Sequence, residues 1–252
     1  MNLYAEKNYK PEKTKFPPMF LLYGETGIGK STFASTFKDP FFFDFEARTA
    51  HIKNIKRDRD YGLSVEKNPS FNEFLTAIRE LKDTSFQTIV FDGIKRLQAY
   101  IWSTVEGHAL QQSKSSKDLK SSFVQMRLYT DVYRLFSQVL NEAKLLQRQY
   151  EKTVVFIDHE KCSDDGGFKR YQPECLTGVL KIFSKETDYI FRLIEEIAEE
   201  GKSKKRVFRG LKILTDRKIH LDSVLKSSMP LPSSIPATAS AFGKAYKLAL
   251  EG

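Results

Sequence analysis

Residues 19–32 read Met19-Phe20-Leu21-Leu22-Tyr23-Gly24-Glu25-Thr26-Gly27-Ile28-Gly29-Lys30-Ser31-Thr32. Five apolar residues in a row, ended by a glycine, suit a short strand buried on both faces. Gly24 to Ser31 then fit the pattern G-x-x-x-x-G-K-[ST], and each fixed position answers a physical need. The glycines let backbone N–H groups curl around an anion, and the start of the following helix adds about half a positive charge. Lys30 reaches terminal phosphates, and the Ser31 hydroxyl suits magnesium. A mere glycine-rich turn leaves the lysine unexplained. Gly24, Glu25, Thr26, Gly27, Ile28, Gly29, Lys30, Ser31 and Thr32 are therefore expected to bind ATP with Mg2+.

Outward from this loop, a helix is expected from Ser31 to Phe37, stopped by Asp39-Pro40. Phe41-Phe42-Phe43-Asp44-Phe45 is a second apolar strand. Ser70-Phe71-Asn72-Glu73 fits a capping box, so a helix should run to about Lys82 with Phe71, Phe74, Leu75 and Ile78 inward. Thr88 to Asp92 reads as a third strand, followed by Gly93 and helix-like sequence through Gln111. Ser113 to Ser122 is a serine- and lysine-rich loop. From Phe123 to Tyr150 apolar residues recur at helical spacing, with Phe123, Met126, Val132, Leu135, Phe136, Val139, Leu140, Ala143 and Leu146 on the inner face. Thr153 to Asp158 is a fourth strand. Apolar strands alternating with helices imply an α/β fold with a mostly parallel sheet and helices on both faces.

Residues 187–215 suit either a helix or an antiparallel hairpin. The hairpin is favoured because Glu195, Glu196, Glu199 and Glu200 could face Lys204, Lys205, Arg206 and Arg209 across the ladder. Three parts are expected: an extension over 1–17, a core over 18–226, and a Ser/Pro/Ala-rich linker with a short terminal helix over 227–252.

A chain of 252 residues buries roughly 70–75% of its unfolded surface, so its core needs no staples. With 20 Phe and 11 Tyr it is too aromatic for a disordered segment, and 2 Cys exclude a disulfide-built secreted scaffold. No apolar run approaches the ~18 residues of a membrane span, and the N-terminus lacks a signal-peptide core. A cytoplasmic protein without a membrane partner is expected. The net charge of +9 suits a polyanion partner or simply a basic surface, and its placement must decide.

A phosphate-binding loop needs an acid at a neighbouring strand end to hold the metal through water. Asp92 fits, with Asp158 as its competitor. Water attack also needs an orienting group. Asp44 and Glu46 lie two apart and share a face of an extended chain; the longer Glu46 is the better candidate. His159 ends the fourth strand, where ligands of parallel sheets bind, and could sense the terminal phosphate. Lys30, Glu46 and His159 are thus the candidate catalytic residues, with Ser31 and Asp92 for metal. The histidines and cysteines show no zinc spacing, and no hydrolase nucleophile elbow occurs. Phe168, Lys169, Arg170 and Tyr171, read as a loop hinged by Gly166-Gly167, combine backbone neutralisation with stacking surfaces for single-stranded DNA. Lys202 to Lys218 hold eight Lys/Arg against Asp216. They suit a charge-protected edge strand, or an arginine (Arg206, Arg209 or Arg217) acting on a neighbouring subunit's phosphates.

In this order the pieces resemble the RecA-like P-loop ATPases, most closely the small phage-type nucleotide-binding proteins that act as single-strand-annealing recombinases. Phe42-Phe43-Asp44-Phe45-Glu46-Ala47 is similar to the segment carrying that superfamily's catalytic glutamate. Thr88-Ile89-Val90-Phe91-Asp92-Gly93-Ile94 is similar to its metal-site strand. Val154 to Lys161 look like the phage group's sensor strand, with His159 in the sensor position. The resemblance spans about 18–218. It implies an Mg-dependent ATPase acting on single-stranded DNA, a homo-oligomer with a single-strand-binding protein as candidate companion, encoded by a phage or prophage. The chain shows no counterpart of the recombinases' separate terminal domains, so annealing or assistance is expected over autonomous strand exchange. The alternative is a nucleotide switch or motor subunit that works through a protein partner in replication or packaging. A small-molecule kinase lacks any visible acceptor signature.

Overall fold

The computed structural model of the chain describes residues 16–53, 55–58, 69–112, 122–165, 168–200, 204–213, 234–236 and 238–251. The elements run β1 (Met19–Gly24), α1 (Lys30–Ser35), β2 (Pro40–Asp44), β3 (Lys56–Asp58), α2 (Phe71–Glu80), β4 (Thr88–Asp92), α3 (Ile94–Gln112) and α4 (Ser122–Gln149). They continue with β5 (Thr153–Asp165), β6 (Phe168–Pro173), α5 (Thr177–Glu186), β7 (Tyr189–Glu200), β8 (Lys204–Ile213), β9 (Ser234–Pro236) and α6 (Ala239–Glu251).

The sheet order is β3-β2-β4-β5-β1-β7-β8-β9, with β6 paired to β5 alone. From β3 to β7 the neighbours are parallel; β7–β8, β8–β9 and β5–β6 are antiparallel. The expected α/β class, its mostly parallel sheet and its C-terminal hairpin are all present. Because β5 lies between β1 and β4, the tips of β2, β4 and β1 stand level with Ile157 to His159 of β5, which runs on past them to Asp165.

Both faces of the sheet are covered, which is why its strands are apolar at consecutive positions. Met19, Leu21, Tyr23, Phe43, Ile89, Phe91, Val154 and Phe156 face a core shared with α2, α3, α4 and α5. Phe20, Leu22, Phe42, Val90, Val155 and Ile157 pack on the other face with Phe33 of α1 and Phe242 of α6. The capping box of α2 is formed: the Ser70 amide donates to Glu73 Oε2 at 2.7 Å, and the Glu73 amide donates to Ser70 Oγ at 3.3 Å. Phe71, Phe74, Leu75 and Ile78 are buried as expected.

In α4 the inner stripe is Leu128, Val132, Leu135, Phe136, Val139, Leu140, Ala143 and Leu146, whereas Met126 is 64% exposed. Six residues before Val132 is about 240° around a helix and four residues is about 40°, so Leu128 continues the stripe and Met126 leaves it. The β7–β8 register sets Glu195 opposite Arg209, Glu199 opposite Lys205 and Glu200 opposite Lys204, but Glu196 opposite Phe208. Residues 1–15, 113–121 and 214–233, with Arg217, lie outside the described residues.

The expected linker and terminal helix are more than an appendage. Within 227–252, β9 pairs with β8, and Ile235 and Phe242 are each 2% exposed. The Phe242 ring lies 5.2 Å from Phe20 and 5.5 Å from Phe191. Phe242→Ala should therefore destabilise the chain by about 3–5 kcal/mol, the usual loss for a fully packed phenylalanine. Urea unfolding of the two proteins, compared at similar m-value, checks this.

Candidate active site

The loop after β1 turns through two glycines with positive φ; Gly29, at +100°, caps α1 in a conformation that a side chain would resist. Lys30 is 6% exposed. Its ammonium donates to the carbonyls of Gly24 at 2.9 Å and Glu25 at 2.7 Å, closing the loop on itself. Burial pulls the Lys30 pKa down, and the charges of Asp92, Glu46, Asp158 and Glu160 oppose that.

Asp92 ends β4 beside Asp44 at the end of β2. It is 5% exposed and hydrogen-bonded to the Ser31 side chain. Burial pushes its carboxyl up to about 6; the Ser31 bond and Lys30 work against this, while Asp44 and Glu46 add to it. Asp44 is used otherwise: its carboxylate accepts from the amides of Arg48 at 3.2 Å and Thr49 at 3.1 Å, and from the Thr49 hydroxyl at 2.5 Å. It fixes the turn that carries Glu46. Asp158 also turns elsewhere, its Oδ2 accepting from the Cys175 amide at 2.8 Å. Burial pushes Asp158 up to about 6 as well, against that hydrogen bond.

Glu46 and His159, proposed separately from sequence, touch. His159 Nε2 lies 2.6 Å from Glu46 Oε1, and His159 Nδ1 lies 3.2 Å from the Thr26 hydroxyl. Burial of Glu46 opposes ionisation, but the His159 hydrogen bond and charge, with Arg48 and Lys30, outweigh it and hold the carboxyl below its ordinary value. An ionised carboxylate only accepts, so Nε2 carries the proton in this pair, while Nδ1 is paired with the Thr26 hydroxyl, which can either donate or accept. The chain Glu46–His159–Thr26 thereby joins the turn after β2, the middle of β5 and the phosphate-binding loop. Gly93 makes room for it: φ is +102°, and a Cβ there would lie 2.7 Å from Glu46 Cγ.

Phe168 to Tyr171 do not form the expected loop. They lie in β6, and β5 runs on to Asp165, pairing Asp165 with Phe168 and Cys162 with Tyr171. Gly166 and Gly167 are outside the described residues. Two extended runs flanking a Gly-Gly pair are a hairpin signal, and that signal was available. Lys161 and Lys169 are exposed, while one face of the Tyr171 ring is taken by the Arg192 guanidinium, 3.7 Å from the centroid. Sequence reading missed Thr26 as a histidine partner and Gly93 as the space that Glu46 occupies. The T-G pair inside the loop and the D-G pair after β4 were the available traces.

A family model described as an AAA domain matches residues 17–213. The chain belongs to this AAA domain family. That membership, with the loop geometry above, bears out the P-loop ATPase resemblance. Among solved structures, the crystal structure of the RadB recombinase is similar over 81% of this chain and 84% of that chain, at 15% identity and a TM-score of 0.39. No curated protein matches the sequence. No helix among the described residues is long and apolar enough to cross a membrane.

A magnesium ion fits the donor set. Ser31 and Asp92 offer oxygen ligands already joined to each other, and the carboxylate is held where burial disfavours its charge. Without a cation, that charge is a cost to the fold. The cost is absent below the ordinary value of 3.8, grows as pH rises, and is complete above about 6. Asp92→Asn should therefore raise stability at pH 7.5 by about 2–3 kcal/mol at 1.36 kcal/mol per pKa unit, with the gain vanishing near pH 4. Thermal unfolding across pH, without nucleotide or Mg2+, tests this.

Proposed function

We propose that this AAA-domain protein binds and hydrolyses Mg-ATP and couples hydrolysis to single-stranded DNA, serving recombination by annealing or by assisting another DNA-binding protein. The observation carrying this reading is the Glu46–His159–Thr26 chain. It links a candidate water-orienting carboxylate to the phosphate-binding loop through a residue of the strand that continues into the β5–β6 hairpin, which carries Lys161, Lys169 and Arg170.

In this reading, Lys30 exchanges its two loop carbonyls for terminal phosphate oxygens, and the backbone amides of Gly27 to Ser31 receive the remaining phosphate charge. Ser31 and Asp92 would hold the metal; when bound, magnesium would neutralise charge that develops on the phosphate oxygens. Glu46 accepts a hydrogen bond from the attacking water and orients it. His159 reports whether Glu46 is engaged with water or with its own Nε2–H. Lys161 of β5 and Lys169 of β6, both exposed but on opposite faces of the hairpin, would each neutralise DNA phosphates, with Arg170 of β6 a further candidate. Phe168 and the free face of Tyr171 are candidates for stacking on bases. Homo-oligomerisation and a phage or prophage origin belong to the same reading, and the basic β8 strand is where a trans-acting Arg206 or Arg209 would be sought.

ATP turnover measured with and without single-stranded DNA over a range of salt tests the reading. DNA should raise turnover, and log affinity should fall with log salt with a slope near −0.7 per phosphate contacted. Turnover indifferent to DNA would instead leave a nucleotide switch that works through a protein partner. Lys30→Ala should abolish nucleotide binding. Glu46→Gln should keep binding and lower turnover about 10²–10⁴-fold, read by single-turnover hydrolysis beside equilibrium nucleotide affinity.

A further inference from the structure

The parallel pairing of β5 with β1 ends at His159, opposite Gly24. Its antiparallel pairing with β6 begins at the next residue, with Glu160 opposite Pro173. The root of the hairpin is therefore one peptide bond beyond the histidine that touches Glu46 and Thr26. Consecutive residues of a strand point to opposite sides. His159 goes to the nucleotide loop, and Glu160 goes to β7.

There Arg192 meets it with both arms of its guanidinium: Nε donates to Oε2 at 2.6 Å and Nη2 donates to Oε1 at 2.9 Å. The Glu160 side chain is 4% exposed and that of Arg192 is 24% exposed. A carboxylate buried to this degree depends on its partner, and a two-pronged pair fixes the plane of both groups as well as their distance. The same guanidinium lies over the Tyr171 ring, 3.7 Å from its centroid, so one side chain grips both arms of the hairpin. Its own backbone is tied to the loop. Arg192 is opposite Tyr23 in the β1–β7 ladder, and the carbonyl oxygen of the next residue, Leu193, sits 2.7 Å from where a Cβ on Gly24 would be.

We infer that Arg192 is a positioning residue that transmits nucleotide state to the β5–β6 hairpin. It anchors Glu160 and Tyr171 to the strand beside the phosphate-binding loop, so that a reorientation of His159 moves the hairpin as a unit. This deepens the functional reading above and rests on its nucleotide half. Lysine cannot replace the residue, because an ammonium makes neither the planar fork nor the flat stack.

The test compares the full chain with Arg192→Lys and, as a second route to the same contact, Glu160→Gln. Trypsin cleavage after Lys169 or Arg170 is followed by mass spectrometry, with and without Mg2+ and a non-hydrolysable ATP analogue. The wild type should show a several-fold change in cleavage rate on adding the analogue. Arg192→Lys should cut at one rate under both conditions while keeping its affinity for the analogue and its basal ATP turnover within about twofold. Glu160→Gln should lose the nucleotide dependence in the same way. If either variant folds and retains the wild-type nucleotide dependence, or if wild-type cleavage ignores the analogue, the inference is overturned. The proteolysis needs no DNA. If DNA leaves turnover unchanged while cleavage behaves as expected, the DNA reading fails and the role of Arg192 stands; loss of DNA-stimulated turnover in Arg192→Lys, with basal turnover kept, supports both.

Discussion

Parallel strands deliver all their carboxyl ends to one edge, and at this edge the chain has to keep carboxylates where water reaches poorly. The ammonium of Lys30 is set among the charges of Asp92, Glu46, Asp158 and Glu160. Like charges at short range in a medium of low polarity repel strongly. Each acid must then find its own compensation, and the shape of the site follows from how they divide. Asp44 takes backbone amides of the turn after β2, Asp158 takes the amide of Cys175, Glu160 takes Arg192, and Glu46 takes His159. Asp92 has the Ser31 hydroxyl and the field of Lys30. Like Asp158 it is left with a raised pKa, but it alone of the two is joined to the Ser31 hydroxyl of the phosphate-binding loop, where a divalent cation would relieve its charge.

This division also explains why the edge is rigid where a reaction requires precision. The turn from Phe45 to Thr49 has little regular structure, yet Asp44 pins it at Arg48 and Thr49. Gly93 leaves the only kind of surface, one without a Cβ, against which the Glu46 side chain can lie so closely. His159 closes the far side. A carboxylate held from three directions loses little further freedom when it is asked to orient a water molecule, and that is how preorganised groups act.

Much of this was legible in the sequence, for reasons that can be named. A phosphate-binding loop is a local solution: its glycines, lysine and serine are contiguous, so the pattern carries its own geometry. The strand ends at Asp44 and Asp92 were readable because strands buried on both faces leave an unbroken apolar run, and the first charge after it marks the tip; at Asp158 the same rule stopped β5 seven residues too early, because the strand leaves the covered part of the sheet there and runs on to Asp165 as half of a hairpin. That Glu46 and His159 meet, 113 residues apart in sequence, was not readable. It depends on strand order, which alternation of strands and helices does not determine. Glu160 and Arg192 failed to stand out for a related reason: on a basic chain, one more Glu and Arg look like solvated surface until the strand order sets β5 and β7 on the two sides of β1 and lets the side chains meet beyond its end. The short strands β3 and β9 were missed because three residues carry too little periodicity to register. Met126 was misplaced because a stripe of large residues was extended one turn without keeping to the helical angle.

The replacement of an expected loop by a hairpin changes what nucleotide binding can do to this part of the molecule. A glycine-hinged loop samples many conformations, so ordering it on DNA costs conformational entropy for every residue fixed, about 1–2 kcal/mol each for the backbone. Paired strands have already met that cost, and Lys169 enters any contact on a backbone of set spacing. A paired segment, however, cannot respond to phosphates by folding or unfolding piecemeal; it responds by moving about its root. The root here is the peptide between His159 and Glu160, where parallel pairing gives way to antiparallel. The side chains on either side of it are the two that the strands beside the phosphate-binding loop hold most directly. Coupling in such an arrangement is a matter of how stiffly that one junction is clamped, more than of how flexible the segment beyond it is.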